Sequence, residues 1–297
     1  MASEELRRFD LWGVPFDGGA TLGWPGARYA PDRVRRALSW MRMRVQDGRI
    51  YSVDEGRPID VPDDLLRDRG DVRIIAHDMM ASHRACSDAV RGSVQEGRVP
   101  IVVGGEDSLF FPSVRGFHDA VEGSVGVIHF DAHFDLLDES EQQGRYSHSS
   151  GMRRSLELDR VSPDHCVQVG GRHFNFPSSG EFIEEVKLLE IPAVDFHRRG
   201  VEDVAQAILE RVAAADRVFW SFDIDVIDPS EAPGAGAHEP GGITARQALD
   251  CVRVLAPHCD GFAVTEVNPL MDQHDRTSTL AAYLVYSFAV YGSGRNR

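Results

Sequence analysis

Two short runs of acidic residues carry side chains that are suited to metal chemistry. Asp131, His133 and Asp135 alternate with other residues in the first run, and Asp223 and Asp225 repeat the spacing in the second. Alternate residues of an extended chain point to the same side. Crowded carboxylates and imidazoles repel one another or stay poorly solvated unless a cation neutralises them. We therefore predict a two-metal site that activates water, and the oxygen-rich ligand set favours Mn²⁺ over metals that prefer sulfur.

The elements that must position these side chains are two buried strands. Each acidic run follows an apolar, β-branched stretch, residues 125–130 and 218–222, so both runs lie where a strand ends. Either motif alone is more typical of a cap or a salt-bridged loop. Both together, at matching strand ends, favour a metal site. A shared position at the end of strands is where an open α/β sheet binds its ligands.

The rest of the chain alternates in the same way between short apolar runs and longer amphipathic stretches. This alternation predicts an α/β fold with a mostly parallel sheet and helices on both faces. Strands are predicted at residues 11–14, 74–76, 101–103, 125–130, 166–169, 193–195, 218–222 and 262–265, and helices at 31–40, 83–96, 113–120, 201–214, 245–256 and 278–291. Polar segments 136–145 and 172–180 are predicted to be loops at the rim of a pocket. With no repeat or linker, residues 1–297 are expected to form a single domain.

Composition narrows the range of partners. The 297 residues carry a net charge of −15 and have no Lys/Arg-rich stripe, which makes nucleic acid and anionic membranes poor partners. A cationic small molecule is easier to accommodate. No apolar run approaches the ~20 residues that span a bilayer, and the charged N-terminus lacks a signal core. Four cysteines without CxxC spacing indicate thiols in a reducing compartment, so we expect a cytoplasmic protein.

Six motifs resemble, in order, those of the ureohydrolases, the arginase/agmatinase family. They are Val-Pro-Phe-Asp-Gly-Gly (14–19) with Pro-Gly-Ala-Arg-Tyr-Ala-Pro (25–31), Gly-Gly-Glu-Asp-Ser (104–108), the runs 131–135 and 221–229, Pro-Gly-Gly-Ile-Thr (240–244), and Glu-Val-Asn-Pro (266–269). The resemblance extends over nearly the whole chain, and its opening segment is closest to agmatinase-like members. It implies the three-layer α/β/α arginase fold, which agrees with the alternation of strands and helices.

The resemblance also implies roles for the acidic runs. Asp131 and Asp223 are similar to the carboxylates that bridge two metals. Asp135 joins the first metal, and His133 and Asp225 join the second. Two divalent ions, with Mn²⁺ as the favoured metal, are thus the implied cofactors.

Two further residues resemble groups that act on the substrate. Glu266 matches the glutamate that grips the guanidinium, although an acid after a strand is also a common cap. His148 falls near a loop histidine that shuttles a proton, but the residues after it differ from the family pattern, and a solvated loop histidine is the alternative. Together with Asp135, these two residues are the candidate catalytic groups.

Asp107 is the clearest departure, because the family has a metal-ligating histidine at this position. The inner shell would then hold five carboxylates and one imidazole, a formal charge of −5 against +4 for two divalent ions. The extra charge should weaken the metals as Lewis acids and favour a hard, oxygen-preferring ion. An active site with altered metal preference, a one-metal site and an inactive enzyme all remain open.

The resemblance implies an amidinohydrolase that cleaves the guanidino group of a small molecule, of the agmatine or guanidino-acid type, to urea and an amine. The alternatives are a formimidoylglutamase-like hydrolase that releases formamide, an inactive homologue that binds or regulates a partner, and a deacetylase-type zinc hydrolase. For the substrate's tail the predicted rim offers acidic and basic side chains: Asp138, Glu139, Glu141, Arg145, Arg153, Arg154 and Arg172. By resemblance we expect a homo-oligomer, a trimer or a hexamer.

Overall fold

One eight-stranded parallel sheet forms the centre of the computed structural model, which describes residues 6–19 and 24–294. Its strands are β1 (Phe9–Gly13), β4 (Leu66–Asp71), β5 (Val99–Val103), β6 (Val125–Phe130), β7 (Val161–Val169), β8 (Leu189–Ile191), β9 (Arg217–Asp223) and β10 (Gly261–Thr265). They follow the order β4-β1-β5-β10-β9-β6-β7-β8, and every neighbouring pair is parallel. Strands β2 (Arg49–Ser52) and β3 (Arg57–Asp60) form a separate antiparallel pair.

Helices cover both faces of the sheet. They are α1 (Ala30–Arg42), α2 (Met79–Gln95), α3 (Phe110–His118), α4 (Gly151–Ser155), α5 (Pro177–Val186), α6 (Ala193–Arg199), α7 (Val201–Val212), α8 (Ala245–Leu255) and α9 (Arg276–Gly292). Trp220 and Phe222 of β9 belong to one apolar core together with α1, α7, α8 and α9. Phe219 belongs to a second core together with α2 and α3. Neighbouring strand residues thus face opposite cores, which confirms the three-layer α/β/α architecture.

Strand register brings the acidic runs together. Phe130 of β6 lies opposite Phe222 of β9, and Asp223 lies opposite Thr265 of β10. The residues that follow these strands therefore leave the sheet at one level. Val264 lies opposite Val103 of β5, so the glycine-containing turn after β5 reaches the same edge.

Most predicted elements are present, but two predicted strands are wrong. Residues 193–195 begin helix α6, because Pro192 precedes its first turn and the strand ends at Ile191. Residues 74–76 lie in a loop. The edge strand of the sheet is β4, whose polar sequence contains no apolar run that would predict a strand. The predicted loop 172–180 contains the start of α5, which has Pro177 in its first turn. The single-domain assignment stays a prediction.

No helix in the described residues is long and apolar enough to cross a membrane.

Gly105 should be essential for the fold, because a Cβ at this position would lie 1.4 Å from the carbonyl oxygen of Phe16. Gly105→Ala is therefore expected to lower the free energy of unfolding by about 3 kcal/mol or more, through overpacking against backbone that cannot retreat. The measurement is denaturant unfolding of purified protein. The matched control is Gly92→Ala in α2, where an added Cβ meets no heavy atom of the described chain within 4 Å. Equal stability of the two variants would contradict the prediction.

Candidate metal centre

A cavity of about 180 Å³ opens at the carboxyl edge of the central strands. It is lined by Asp107, Asp131, His133, Asp135, Gln143, His148, Ser149, Asp223, Asp225, Gly236, Ala237 and Glu266. Every metal-ligating or catalytic candidate from the sequence therefore contributes to one cavity.

Two groups of side chains within this site have metal-ligand geometry. Potential ligand atoms of Asp107, His129, Asp131 and Asp135 lie within 4.8 Å of one another, and so do those of Asp131, His133 and Asp225. Asp131 belongs to both groups, which is the arrangement that a bridging carboxylate requires. Asp223 lines the same cavity but is in neither group.

The side-chain atoms of the first group fit a divalent cation. Asp107 Oδ2, His129 Nε2 and Asp135 Oδ2 are buried and have no hydrogen-bond partner in the described part of the chain. Buried polar atoms without partners are costly. A hard divalent ion accepts carboxylate oxygens and an imidazole nitrogen as ligands, so these residues suit such an ion.

Electrostatics support the same conclusion. Burial, together with the charge of neighbouring carboxylates, raises the pKa of Asp107, Asp135 and Asp223 well above the usual range. Burial would also raise the pKa of Asp131, but the close imidazoles of His129 and His133 outweigh burial and lower that pKa. Buried carboxyl groups that lie close together ionise with difficulty, and a cation bound between them would stabilise their ionised forms.

Backbone N–H groups hold the carboxylates in place. His133 N–H donates to Asp131 Oδ1 at 2.6 Å, and Asp225 N–H donates to Asp223 Oδ1 at 2.8 Å. Ala132 N–H donates to Asp225 Oδ1 at 3.1 Å, which ties the two runs to each other. His133 Nδ1 lies 3.2 Å from both Asp131 Oδ1 and Asp225 Oδ2. The second group is thus fixed from both strands.

Asp107 begins a single 3-10 turn, Asp107–Leu109, and Glu106 separates it from the glycine pair 104–105. Its Oδ1 accepts a hydrogen bond of 2.6 Å from Thr265 Oγ1, and this bond leaves Oδ2 directed elsewhere. Asp107 is 2 % exposed. The carboxylate that replaces the expected histidine is therefore buried and oriented, and it lies among potential metal ligands.

Glu266 is held in an unusual conformation at the other wall. Its φ is 60°, and Asp135 has a φ of 51°. Non-glycine residues with positive φ cost free energy and cluster at functional sites. Glu266 Oε1 accepts a 2.9 Å hydrogen bond from the Asp107 N–H, and a Cβ on Gly236 would lie 2.4 Å from Glu266 Oε2. Glycine at 236 therefore leaves room for this carboxylate at the cavity.

His148 lies on the loop side of the cavity. Its N–H donates to the carbonyl of Gly19 at 3.3 Å, and its Nε2 is buried without a hydrogen-bond partner among the residues described. Burial and the nearby His133 lower the pKa of His148. The ring is thus half-buried against the cavity, which argues against a solvated loop histidine.

The charged rim residues are used elsewhere. Arg145 and Arg154 both pair with Asp138 and Glu157, and Arg154 is 1 % exposed. The guanidinium carbon of Arg153 stands 3.6 Å from the centre of the Phe182 ring.

Arg172 donates to the backbone carbonyls of Gly170, Asp225, Val226 and Glu239. None of the seven rim candidates lines the metal cavity. The rim offered these side chains for the substrate's tail, with a surface role as the alternative for most of them, and the lining of the metal cavity assigns none of them to the tail. Gln143 and Ser149 were not predicted from the sequence, and they supply polar groups to the lining of the cavity.

His129 is the other site residue that the sequence reading missed. It lies two positions before Asp131, on the same side of strand β6, so the spacing His-x-Asp-x-His-x-Asp carried a signal. The apolar residues around His129 predict the interior of a strand and not a ligand position. The missed residue lies at the end of that strand, fully buried.

Comparisons with known proteins agree with this site. Residues 7–290 match the Arginase family, and the chain therefore belongs to it. Guanidinopropionase of Pseudomonas aeruginosa is 34 % identical over 280 residues, which cover 93 % of this chain and 84 % of that protein. Proclavaminate amidinohydrolase of Streptomyces clavuligerus is 32 % identical, with coverage of 93 % and 87 %. These relatives are hydrolases of guanidino or amidino C–N bonds, and this chain belongs to the same class of enzymes.

A solved structure shows the same fold. Formimidoylglutamase of Bacillus subtilis superposes with a TM-score of 0.85 at 28 % identity, covering 98 % of this chain and 88 % of that one. The arginase-like three-layer fold predicted from the sequence is thereby confirmed.

Mn²⁺ should stabilise the folded protein strongly if these clusters bind it. A ligand that binds only the native state at a hundred times its Kd adds about 2.7 kcal/mol to the free energy of unfolding. For a chain of 297 residues, that corresponds to a rise of about 4 °C in Tm. Differential scanning calorimetry of metal-free protein with and without Mn²⁺ measures the shift. An unchanged Tm at saturating Mn²⁺ would contradict a folded-state metal site.

Proposed function

We propose that this chain is a binuclear, Mn²⁺-dependent amidinohydrolase that cleaves the guanidino group of a small molecule to urea and an amine. The observation that carries the proposal is the pair of ligand clusters that share Asp131 at one cavity with Glu266. Asp131 and Asp223 are proposed to bridge the metals. Asp107 and Asp135 are assigned to the first metal, and His133 and Asp225 to the second.

The metals supply Lewis acidity: when bound, two divalent ions lower the pKa of a water molecule and fix its position. The chain's own residues do the rest. Asp135, with its unpartnered Oδ2, accepts a hydrogen bond that orients the attacking water. The Asp107 backbone N–H holds Glu266, which binds the planar guanidinium through charge-assisted hydrogen bonds.

His148 is proposed to deliver a proton to the leaving nitrogen. Its lowered pKa favours the neutral ring, whose Nε2 has no hydrogen-bond partner in the described chain. This nitrogen can take up the proton that the attacking water loses and pass it to the leaving nitrogen. Attack of the water oxygen on the guanidinium carbon gives a tetrahedral intermediate, and cleavage of its C–N bond to the substrate's tail then releases urea and a free amine. Neither Ser108 nor Ser221 is needed as a nucleophile.

The tail of the substrate meets neutral groups. Gln143 and Ser149 line the cavity, and no Lys or Arg of the described residues does so. The small cavity favours a compact guanidino compound, and the relatives that act on guanidinopropionate and guanidinobutyrate support a guanidino acid or its amine analogue.

The test is a substrate panel. Protein reconstituted with Mn²⁺ is assayed for urea release from 3-guanidinopropionate, 4-guanidinobutyrate, agmatine and arginine. We expect 3-guanidinopropionate or 4-guanidinobutyrate, which have short tails, to be hydrolysed with the highest kcat/KM. No urea from any member would overturn the proposed reaction.

A formimidoylglutamase-like reaction is the second candidate. The 30 % identity to formimidoylglutamase of Bacillus subtilis, over 95 % of this chain, favours it. Release of formamide rather than urea, from N-formimidoyl-glutamate, distinguishes this reaction in the same assay.

The protein is also proposed to be a cytoplasmic homo-oligomer, a trimer or hexamer. All four cysteines are buried, in keeping with a reducing compartment. Phe174, Phe176 and Val194 are exposed apolar side chains at a second cavity of about 640 Å³ or next to it, and they offer a surface for another copy. Light scattering gives the mass, and a monomer would contradict this part of the proposal.

A further inference from the structure

We propose that His129 is a metal ligand, which binds the first metal through Nε2 and supplies the imidazole that Asp107 does not. This inference rests on the proposed two-metal function and deepens it. The first metal would then be held by Asp107, His129 and Asp135 together with the two bridging carboxylates, Asp131 and Asp223. Each metal would have one nitrogen ligand, His129 for the first and His133 for the second.

Position is the first argument. His129 is fully buried near the carboxyl end of β6, two residues before Asp131. Its Nε2 lies 3.1 Å from Asp131 Oδ2 and 4.0 Å from Asp107 Oδ2. The 3.1 Å approach lacks hydrogen-bond geometry, and Nε2 has no hydrogen-bond partner within residues 6–19 and 24–294. The nitrogen therefore points among carboxylate oxygens without bonding to them.

The neighbouring Gln168 fixes which ring nitrogen is free. Its side-chain Nε2 donates to the carbonyl of His133 at 2.5 Å, so its Oε1 must be the atom that faces His129 Nδ1, 2.9 Å away. An amide oxygen only accepts, and so Nδ1 carries the proton. In the neutral ring, Nε2 then presents a lone pair. A hydrogen bond that sets the tautomer of a histidine is a regular feature of metal-ligating imidazoles.

The ring is also held in position. His129 and Gln168 lie directly opposite each other in the β6–β7 ladder. On the other side, the Phe110 ring packs against the imidazole at a centroid distance of 4.4 Å and an angle of 31°. The side chain cannot turn away without losing both contacts. Preorganisation of this kind is what a ligand position requires.

The charge balance also favours an imidazole here. Asp107, Asp131 and Asp135 already bring three carboxylates to the first group. A neutral nitrogen adds a ligand without adding negative charge, and imidazole suits first-row divalent metals. The alternative role of His129 is that of a positively charged partner of Asp131, which contacts no metal. The two roles predict different spectra.

Proton NMR of the Co²⁺-loaded protein tests this directly. A metal-bound histidine gives a strongly shifted, exchangeable ring N–H signal from its other nitrogen. The wild type should show two such signals, from His129 Nδ1–H and His133 Nε2–H, and His129→Phe should show one. His129→Phe keeps a planar ring against Phe110. If it does not fold, His129→Gln and the wild-type spectrum still decide the question. A single signal in the wild type would overturn the assignment.

Metal affinity gives an independent readout. His129→Phe should weaken Mn²⁺ binding at one site by at least the roughly 10–100-fold that loss of a supporting partner costs, whereas Asp107→His/His129→Phe should recover it. The control is His118→Asn, a buried histidine whose ring nitrogens contact Asp119 and Asp159. Unchanged Mn²⁺ affinity in His129→Phe would overturn the proposal.

The two proposals can fail separately. Two shifted signals without hydrolysis of any guanidine would support His129 as a ligand and refute the proposed reaction. Two bound metals, urea release and a single signal would do the reverse.

Discussion

Asp131→Asn is expected to remove nearly all urea release and at least one of the two bound metals. Asp131 is the one residue common to both ligand clusters, so its loss weakens both sites at once. An amide is also a poorer ligand than a carboxylate for a hard ion. Several kcal/mol of transition-state stabilisation depend on the metals, so kcat should fall by roughly three powers of ten or more.

Metal content per chain, measured with turnover on the same sample, checks this expectation. Asp164→Asn is the matched control, because Asp164 is an exposed carboxylate on the adjoining strand β7. It should leave both quantities unchanged. An Asp131→Asn protein that kept two metals and full activity would show that the shared carboxylate does not bridge them.

Glu266→Gln is expected to give a different result, in which both metals stay bound and kcat/KM falls. Glu266 belongs to neither ligand cluster, yet it lines the cavity and takes a hydrogen bond from the Asp107 N–H. The neutral amide of the variant cannot form charge-assisted hydrogen bonds with a guanidinium. Losing hydrogen bonds to a charged group costs about 1.5–3 kcal/mol, which lowers kcat/KM by roughly 10- to 150-fold.

The comparison that isolates this effect is Glu190→Gln. Glu190 is a half-buried carboxylate that lines the second cavity, and burial raises its pKa as burial does for Glu266. The control should keep the wild-type kcat/KM. If Glu266→Gln retained full kcat/KM, another group would have to bind the guanidinium. If Glu266→Gln lost its metals instead, Glu266 would act by positioning the metal ligands and not by binding the guanidinium.

The site was largely predictable because its residues follow regular strands. Asp131, His133 and Asp135 come directly after β6, and Asp223 and Asp225 come at the end of β9. The sequence pattern places both at strand ends, and the parallel register then brings them together without any further information. A pattern of this kind needs only the period of a strand and the rule that ligands bind at carboxyl ends.

What the sequence could not predict depends on contacts between distant segments. Arg154 and Arg172 looked like rim charges, but pairing with Asp138 and with backbone carbonyls removes them from the cavity. His129 looked like part of an apolar strand, and only the contact with Gln168 shows which nitrogen is free. Edge strand β4 was missed because its exposed residues carry no apolar pattern.

The surroundings of Asp107 change the interpretation of the carboxylate that stands there in place of the histidine expected by resemblance. Considered alone, replacing an imidazole by a carboxylate raises the negative charge of the site and suggests lost or altered metal binding. In the structure, Asp107 is tethered by Thr265, and His129 stands in the same group of potential ligands. This arrangement supports the proposal of a two-metal site with an altered ligand set rather than the loss of one metal.

The most direct test of the central claim is a titration of metal-free protein with Mn²⁺, in which bound metal and urea release are measured in the same samples. We predict that binding saturates at two ions per chain and that activity rises as the second ion binds. Full urea release at one ion per chain, or two bound ions without hydrolysis of any guanidine or formimino compound, would contradict the binuclear amidinohydrolase.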